Sequence, residues 1–271
     1  MQYDPIKRSL GKVFNKHPFL RILFYKMLNL LLLRAWYIKK ALKKWNRNAK
    51  NSPSVLDAGS GFGQYSWYIS ALNKECNILG VDVKEEQIAD CNSFFTQLNR
   101  NQRVKFEYAD LTTFNKGAQF DLILSVDVME HIEEDEKVFA NFFAALRSKG
   151  VLLISTPSDQ GGSDNHDHHE EGGFIDEHVR DGYSIEDMTL KLKRAGFSNI
   201  ETKYTYGFWG SLSWKISMKA PIVILNKSKL FFIFLPFYYL ALYSFAFIFN
   251  WIDTLSTNKT GTGLMVTAIK E

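Results

Sequence analysis

A chain of 271 residues with 46% apolar and 23% charged side chains, 17 Gly and 6 Pro is composed like a folded globular protein and unlike a disordered or collagenous one. Its two cysteines, Cys76 and Cys91, are too few for a disulfide framework or a cysteine-based zinc site, so a reducing compartment is the default. The net charge of +4 conceals a division, because residues 1 to 50 sum to +12 and the remaining 221 to −8; the basic end therefore has a partner that the rest lacks, an anionic membrane surface or a nucleic acid.

Near the N-terminus the longest uncharged stretch, Met27 to Leu33, contains Asn29 and is followed by Arg34, Trp36 and Tyr37 in place of small residues, so no export signal is expected. Leu20, Phe24, Met27, Leu28, Leu31, Ala35, Ile38, Leu42 and Trp45 recur at steps of three or four, with Arg21, Lys26, Lys39, Lys40, Lys43, Lys44 and Arg47 mainly opposite. That pattern predicts one basic amphipathic helix, within an extension covering residues 1–52. Strands are then expected at Val55 to Ala58, Ile78 to Asp82, Val104 to Tyr108, Phe120 to Ser125, Val151 to Thr156 and Phe197 to Tyr206. Helices are expected at Gln64 to Leu72, Glu85 to Leu98, Glu133 to Arg147 and Ser184 to Ala195, the last opened by a Ser184/Asp187 cap and stopped at Gly196. Alternation of this kind implies a doubly wound α/β sheet covered on both faces. Pro157 to Tyr183, rich in Gly, Asp and His, reads as a loop. An apolar, aromatic tract follows to Ile252, and Gly263 to Lys270 reads as a final strand.

Val55-Leu56-Asp57-Ala58-Gly59-Ser60-Gly61-Phe62-Gly63 joins a strand to a helix through a glycine turn, which lets backbone approach a ligand at the carboxyl end of strand one. The spacing is G-x-G-x-G, not the G-x-G-x-x-G of dinucleotide sites, because position 64 is Gln. Strand two ends in Asp82, where a carboxylate can accept from both hydroxyls of a ribose. Asp110 follows strand three and Asp127-Val128-Met129-Glu130-His131 follows strand four, so acidic residues line one rim.

In this order the motifs resemble those of class I S-adenosylmethionine-dependent methyltransferases, over residues 53–206 and 261–271. The resemblance implies a seven-stranded, mostly parallel Rossmann-like sheet whose last strand is antiparallel and lies beside strands five and six. It implies S-adenosyl-L-methionine as cofactor, with Asp57, Gly59, Gly61 and Gly63 around the methionine part, Asp82 on the ribose, Asp110 on the adenine amino group, and Asp127 near the methionine part and the acceptor. Asp127, Glu130 and His131 also match the cation-binding spacing of quinone-biosynthetic O-methyltransferases; no metal is expected here, and His131 has a general-base and a helix-capping reading as well. His178, in Glu177 to Tyr183, resembles a substrate-side segment of bacterial surface-polysaccharide methyltransferases. His166 to Glu171 has a metal-like composition but neither helical nor strand spacing, and reads as solvated loop.

Between Lys229 and Asp253 lie 23 uncharged residues, 11 of them aromatic, long enough for a transmembrane helix. A strand seven that must rejoin the sheet requires both ends of residues 207–260 on one side, so a helix broken near Pro236 and lying in the interface is expected. The function expected is methyl transfer, preferably to oxygen, onto a lipid or lipid-linked glycan, with Glu130, His131 and His178 available to take a proton. The protein would then be cytoplasmic and peripheral on the inner face of the cell membrane, with no nucleic-acid partner. A soluble acceptor with the apolar segments as lid or dimer contact, and a non-catalytic membrane scaffold, remain open alternatives.

Overall fold

Short β-branched and aliphatic runs between turn residues produce seven strands. The computed structural model describes residues 17–161 and 179–271. In it β1 (Ser54–Ala58), β2 (Asn77–Asp82), β3 (Val104–Tyr108), β4 (Phe120–Val126), β5 (Leu146–Pro157), β6 (Ser198–Thr205) and β7 (Gly263–Ile269) form one sheet, ordered β3-β2-β1-β4-β5-β7-β6. The first five strands pair in parallel, and β7 runs antiparallel between β5 and β6, as the family resemblance implies. Side chains alternate across the sheet. Ile123 and Leu152 point into one core and Leu122, Leu124 and Leu153 into the other, so both faces are covered.

The helices are α1 (Pro18–Leu31), α2 (Leu33–Arg47), α3 (Gln64–Leu72), α4 (Glu85–Gln97), α5 (Asp135–Ala145), α6 (Ile185–Arg194), α7 (Phe208–Trp214), α8 (Ala220–Lys227) and α9 (Leu235–Leu255). The Ser184 hydroxyl accepts from Asp187 N at 3.0 Å and so caps α6, which ends at Gly196 with φ +104°. One boundary differs from expectation: α5 stops at Ala145 because Leu146 already pairs with Phe120, the register shifting before Leu122 meets Val151.

The expected single N-terminal helix is two, broken at Leu32 in extended geometry. No Gly or Pro lies there, so local sequence does not set the break. Tertiary contacts do: the Trp36 indole N–H and the Tyr243 hydroxyl both donate to Leu30 O, and Arg34 N donates to the Tyr206 hydroxyl.

The buried face of α1 also differs from expectation, since Leu20, Phe24, Leu28 and Leu31 are only partly buried and Met27 is exposed. Its buried face is Arg21, Tyr25 and Asn29, while Phe19, Leu23, Met27 and Leu30 are exposed. Arg21 leaves the solvent side because it binds the glycine turn and α4: Nη2 donates to Phe62 O at 2.8 Å, Nη1 to Asp90 O at 3.1 Å, and Nε to Tyr25 at 2.7 Å.

The segment between β6 and β7 is a helical hairpin. α7 continues through a π turn (Lys215–Lys219) into α8, and α9 returns after a 3-10 turn (Lys229–Phe234). Ser213 Oγ bonds Ala246 O while Tyr239 bonds Ser217 O, a pairing that makes the arms antiparallel. Pro236 lies in the first turn of α9 and starts the helix instead of breaking one. At the base Ala246, Asn250 and Asp253 are fully buried, and at the tip Phe232, Phe237 and Leu240 are 67, 68 and 83% exposed. Residues Phe232–Leu255 are long and apolar enough to cross a membrane, yet Thr205 pairs with Gly263, so the hairpin leaves and rejoins the sheet at one point.

Candidate active site

The carboxyl ends of β1 and β2 are held together by backbone hydrogen bonds from the glycine turn. Gly59 N and Ser60 N both donate to Val81 O at 2.9 Å. Gly59 and Gly63 each have φ +75°, where L side chains are strained, and a Cβ on Gly59 would meet Val128 Cγ2 at 2.3 Å. At Gly61, with φ +51°, a Cβ would meet only Gln87 Oε1, at 3.7 Å.

Asp57 is buried and turned toward α3, where its Oδ2 accepts from Ser66 N at 3.1 Å and Ser66 Oγ at 2.6 Å. It shapes the turn from beneath. Burial pushes its carboxyl up to about 6, against the hydrogen bonds from Ser66. An unfolded Asp titrates near 3.9, so the native state holds this proton more tightly, and the stability it adds below about pH 4 is lost as pH rises through about 6, up to ~3 kcal/mol. In Asp57→Asn that part of the slope should vanish between about pH 4 and 6; denaturant unfolding across that range checks it, and an unchanged slope would place the titration elsewhere.

Asp82 at the end of β2 is half-buried. Oδ2 accepts from Gly61 N at 2.8 Å and Oδ1 from Lys84 N at 3.0 Å, which orients the carboxylate while leaving each oxygen a further lone pair. Asp110 is exposed after β3, with Oδ1 accepting from the amide and hydroxyl of Thr112, each at 2.8 Å. Asp127, just past β4, has φ +53° and forms an ion pair with Arg34 of α2.

Glu130 departs from its expected role. It is 1% exposed, and its Oε2 accepts from Thr156 Oγ1 at 3.0 Å. Burial first, then the charge of Asp127, hold its carboxyl far above the usual carboxylate range. At 1% exposure and against Thr156, its carboxyl is set below the rim surface rather than facing an acceptor. His131, in the 3-10 turn after β4, is exposed on the rim. His178 and His166 to Glu171 lie outside the described residues. Among its described neighbours Val179 N donates to Glu130 O at 3.0 Å, and Arg180 is ion-paired with Asp135, which also takes Tyr183 and Lys191.

Arg34, Tyr65 and Tyr206 were not singled out from sequence. Arg34 is the one charge between Lys26 and Lys39 in an apolar run, and that isolation was the available signal. Burial opposes its charge and Asp127 more than restores it. Arg34 Nε, Tyr65 OH and Ser60 Oγ are buried, and the Tyr65 hydroxyl lies against the Arg34 guanidinium.

This rim fits S-adenosylmethionine. A Cβ at Gly61 would meet only Gln87 Oε1, Asp82 presents acceptors for a ribose, and the donors of Arg34 and Tyr65 suit a carboxylate. Fold and rim together have the form of the class I S-adenosylmethionine-dependent methyltransferases. A family model described as a methyltransferase domain matches residues 49–201, and the chain belongs to that family.

The chain is 30% identical over 154 residues to phosphoethanolamine N-methyltransferase of Triticum aestivum, covering 56% of this chain and 29% of that protein. It is 23% identical over 124 residues to a ubiquinone biosynthesis O-methyltransferase of Rickettsia bellii, covering 46% of this chain and 50% of that one. Among solved structures, Haemonchus contortus phosphoethanolamine N-methyltransferase 2 in complex with S-adenosyl-L-methionine superposes with a TM-score of 0.59 at 19% identity, over 83% of this chain and 52% of that one. The [4+2]-cyclase SpnF shares the fold with a TM-score of 0.56 at 15% identity, over 85% and 80% of the two chains. The fold alone therefore does not fix the reaction.

Proposed function

We propose that this protein transfers a methyl group from S-adenosylmethionine to an oxygen of a lipid or lipid-linked glycan, while docked on the cytoplasmic face of a membrane. One observation carries the reading: two elements that frame the site, α1 and the α7–α9 hairpin, turn large apolar side chains outward. Arg21, Tyr25 and Asn29 hold α1 on the glycine turn by its polar face, which leaves Phe19, Leu23, Met27 and Leu30 exposed. Exposed apolar area of that extent marks an interaction surface.

When bound, S-adenosylmethionine supplies a methyl already activated on a sulfonium, so the chain has to bind, orient, exclude water and accept a proton. Asp82 holds the ribose, Asp110 the adenine amino group, and Arg34 with Tyr65 the methionine carboxylate. Asp127 lies between that end and the acceptor. His131, on the rim beside it, takes the acceptor's proton.

Liposome flotation tests the membrane half of this reading, and mass spectrometry of lipid extracts, seeking a difference of about 14 daltons between cells with and without the gene, tests the acceptor. Phe237→Asp with Leu240→Asp at the hairpin tip should abolish flotation, since charges at depth are costly; sequestering Lys and Arg with high salt should weaken it only in part. Flotation unaffected by both charges would sink the reading. A second reading, a soluble acceptor, is favoured by the 30% identity to enzymes named for phosphoethanolamine, and it survives if turnover of a water-soluble acceptor is unchanged in that tip variant.

A further inference from the structure

The turn that carries His131 has little regular structure of its own. Beyond β4 the chain passes through Asp127 at φ +53° and one 3-10 turn, Met129–His131, before α5 begins at Asp135. Its backbone groups must still be satisfied, and one distant segment takes several of its carbonyls. The Tyr183 hydroxyl donates to Met129 O at 3.1 Å, Val179 N to Glu130 O at 3.0 Å, and Arg180 Nη2 to both Ile132 O at 2.7 Å and Glu133 O at 3.1 Å. The carbonyls on both sides of His131 are thus bound by a brace at residues 179, 180 and 183, far along the chain.

The brace is itself fixed. Tyr183 is 1% exposed; its N donates to Pro157 O at 3.1 Å and its O accepts from Asp159 N at 3.1 Å, which ties it to the end of β5. Arg180 forms an ion pair with Asp135, a buried carboxylate in the first turn of α5. Oδ2 of Asp135 also accepts from the Tyr183 hydroxyl at 2.7 Å and from Lys191 Nζ at 2.8 Å. The Arg180 guanidinium lies over the Tyr183 ring, 5.0 Å from its centroid. A planar fork that meets a carboxylate and two carbonyls together holds all three in one geometry. Val138, Phe139 and Phe142 already pack α5 into the core, whereas the bonds to the carbonyls of residues 129, 130, 132 and 133 fix the path of the turn.

We propose that Arg180, Tyr183 and Asp135 are positioning residues, which set the turn that presents His131 to the methyl acceptor and touch neither cofactor nor acceptor themselves. This rests on the reading of His131 as the group that takes the acceptor's proton. Misplacing a reacting group by about 1 Å costs on the order of a hundredfold in rate, and a side chain on a loop keeps its place only through such support. The cofactor groups Gly61 and Asp82 stand after other strands, β1 and β2, so the brace acts on turnover and not on cofactor affinity.

The test uses the full-length protein, with histidines labelled with carbon-13 at Cε1 and the His131 resonance assigned by its loss in His131→Gln. Arg180→Met should shift or split that resonance while affinity for S-adenosylhomocysteine stays within about threefold of the parent. Methyl transfer from tritiated S-adenosylmethionine to a total lipid extract of cells that carry the gene should fall about 10- to 100-fold in Arg180→Met, with KM for S-adenosylmethionine unchanged. Arg180→Lys keeps the charge but cannot span the carbonyls, so it should recover part of the loss. In a His131→Gln background Arg180→Met should cost nothing further, because residues that act as a unit are not additive. A parent-like resonance in Arg180→Met, or a loss that adds in full to that of His131→Gln, would make the brace merely structural and overturn the proposal, with the role of His131 left standing. A His131→Gln protein that turns over like the parent removes that role and the proposal with it. If Arg180→Met fails to fold, Tyr183→Phe is judged by the same resonance and the same pairing with His131→Gln, and if the extract supports no turnover the resonance decides.

Discussion

Asp82→Ala lowers affinity for S-adenosylhomocysteine by about 30- to 1000-fold, the equivalent of ~2 to 4 kcal/mol for two charged hydrogen bonds to a ribose. The structure explains why so much rests on one side chain. Gly61 N and Lys84 N hold the two carboxylate oxygens from the glycine turn and from the start of α4, so the charge is oriented before any ligand arrives and little ordering is lost on binding. The truncation also leaves Gly61 N without its acceptor, and for that reason Asp82→Asn is the sharper companion: it keeps an acceptor for the turn but loses the charge. Its loss of affinity should fall between parent and Ala. Calorimetry measures both, and affinity within about threefold of the parent in Asp82→Ala would remove this residue from the cofactor site.

The rim was legible in the sequence because its pieces are local. A glycine turn needs glycines where φ is positive, and a carboxylate at a strand tip lies where the strand ends, so Gly59, Gly61, Gly63, Asp82 and Asp110 could be placed from strand and helix periodicity alone. Asp57 was assigned to the methionine part, but it faces Ser66 beneath the turn, and periodicity reports which strand a residue is on, not which way a strand-end side chain turns. Glu130 was misjudged for a related reason: a carboxylate next to a histidine looks available until burial against Thr156 is seen.

The N-terminal helices expose the larger limit. Amphipathic spacing assumes that apolar residues face the core, and in α1 the core-facing stripe is Arg21, Tyr25 and Asn29 because the surface beneath it is a polar turn with carbonyls to satisfy. Of the basic residues expected on an outer face, Arg21 is buried on Phe62 O, while Lys40 stays exposed with its Nζ donating to Thr254 O. Lys26, Lys40, Lys43, Lys44, Arg47 and Lys50 are exposed.

Arg34→Met separates the two ends of the cofactor. Arg34 reaches the rim from α2, whose position is fixed independently: the Tyr37 hydroxyl donates to Asp253 at 2.7 Å and Lys40 Nζ to Thr254 O at 2.8 Å. Its guanidinium already engages Asp127 and lies against the buried Tyr65 hydroxyl. A carboxylate entering there meets a fork of donors and a phenol, and the charge-assisted bonds so formed are worth about 1.5 to 3 kcal/mol each. S-adenosylhomocysteine, which carries the methionine carboxylate, should therefore bind Arg34→Met roughly 10- to 150-fold more weakly than the parent. 5′-Methylthioadenosine, which keeps the adenine, ribose and sulfur but lacks the amino acid, should bind both proteins equally. Arg34→Lys keeps the charge but not the planar fork, so it should recover part of the loss. If both ligands weaken together in Arg34→Met, the arginine acts by packing α2 over the rim, and the carboxylate must be held by another group.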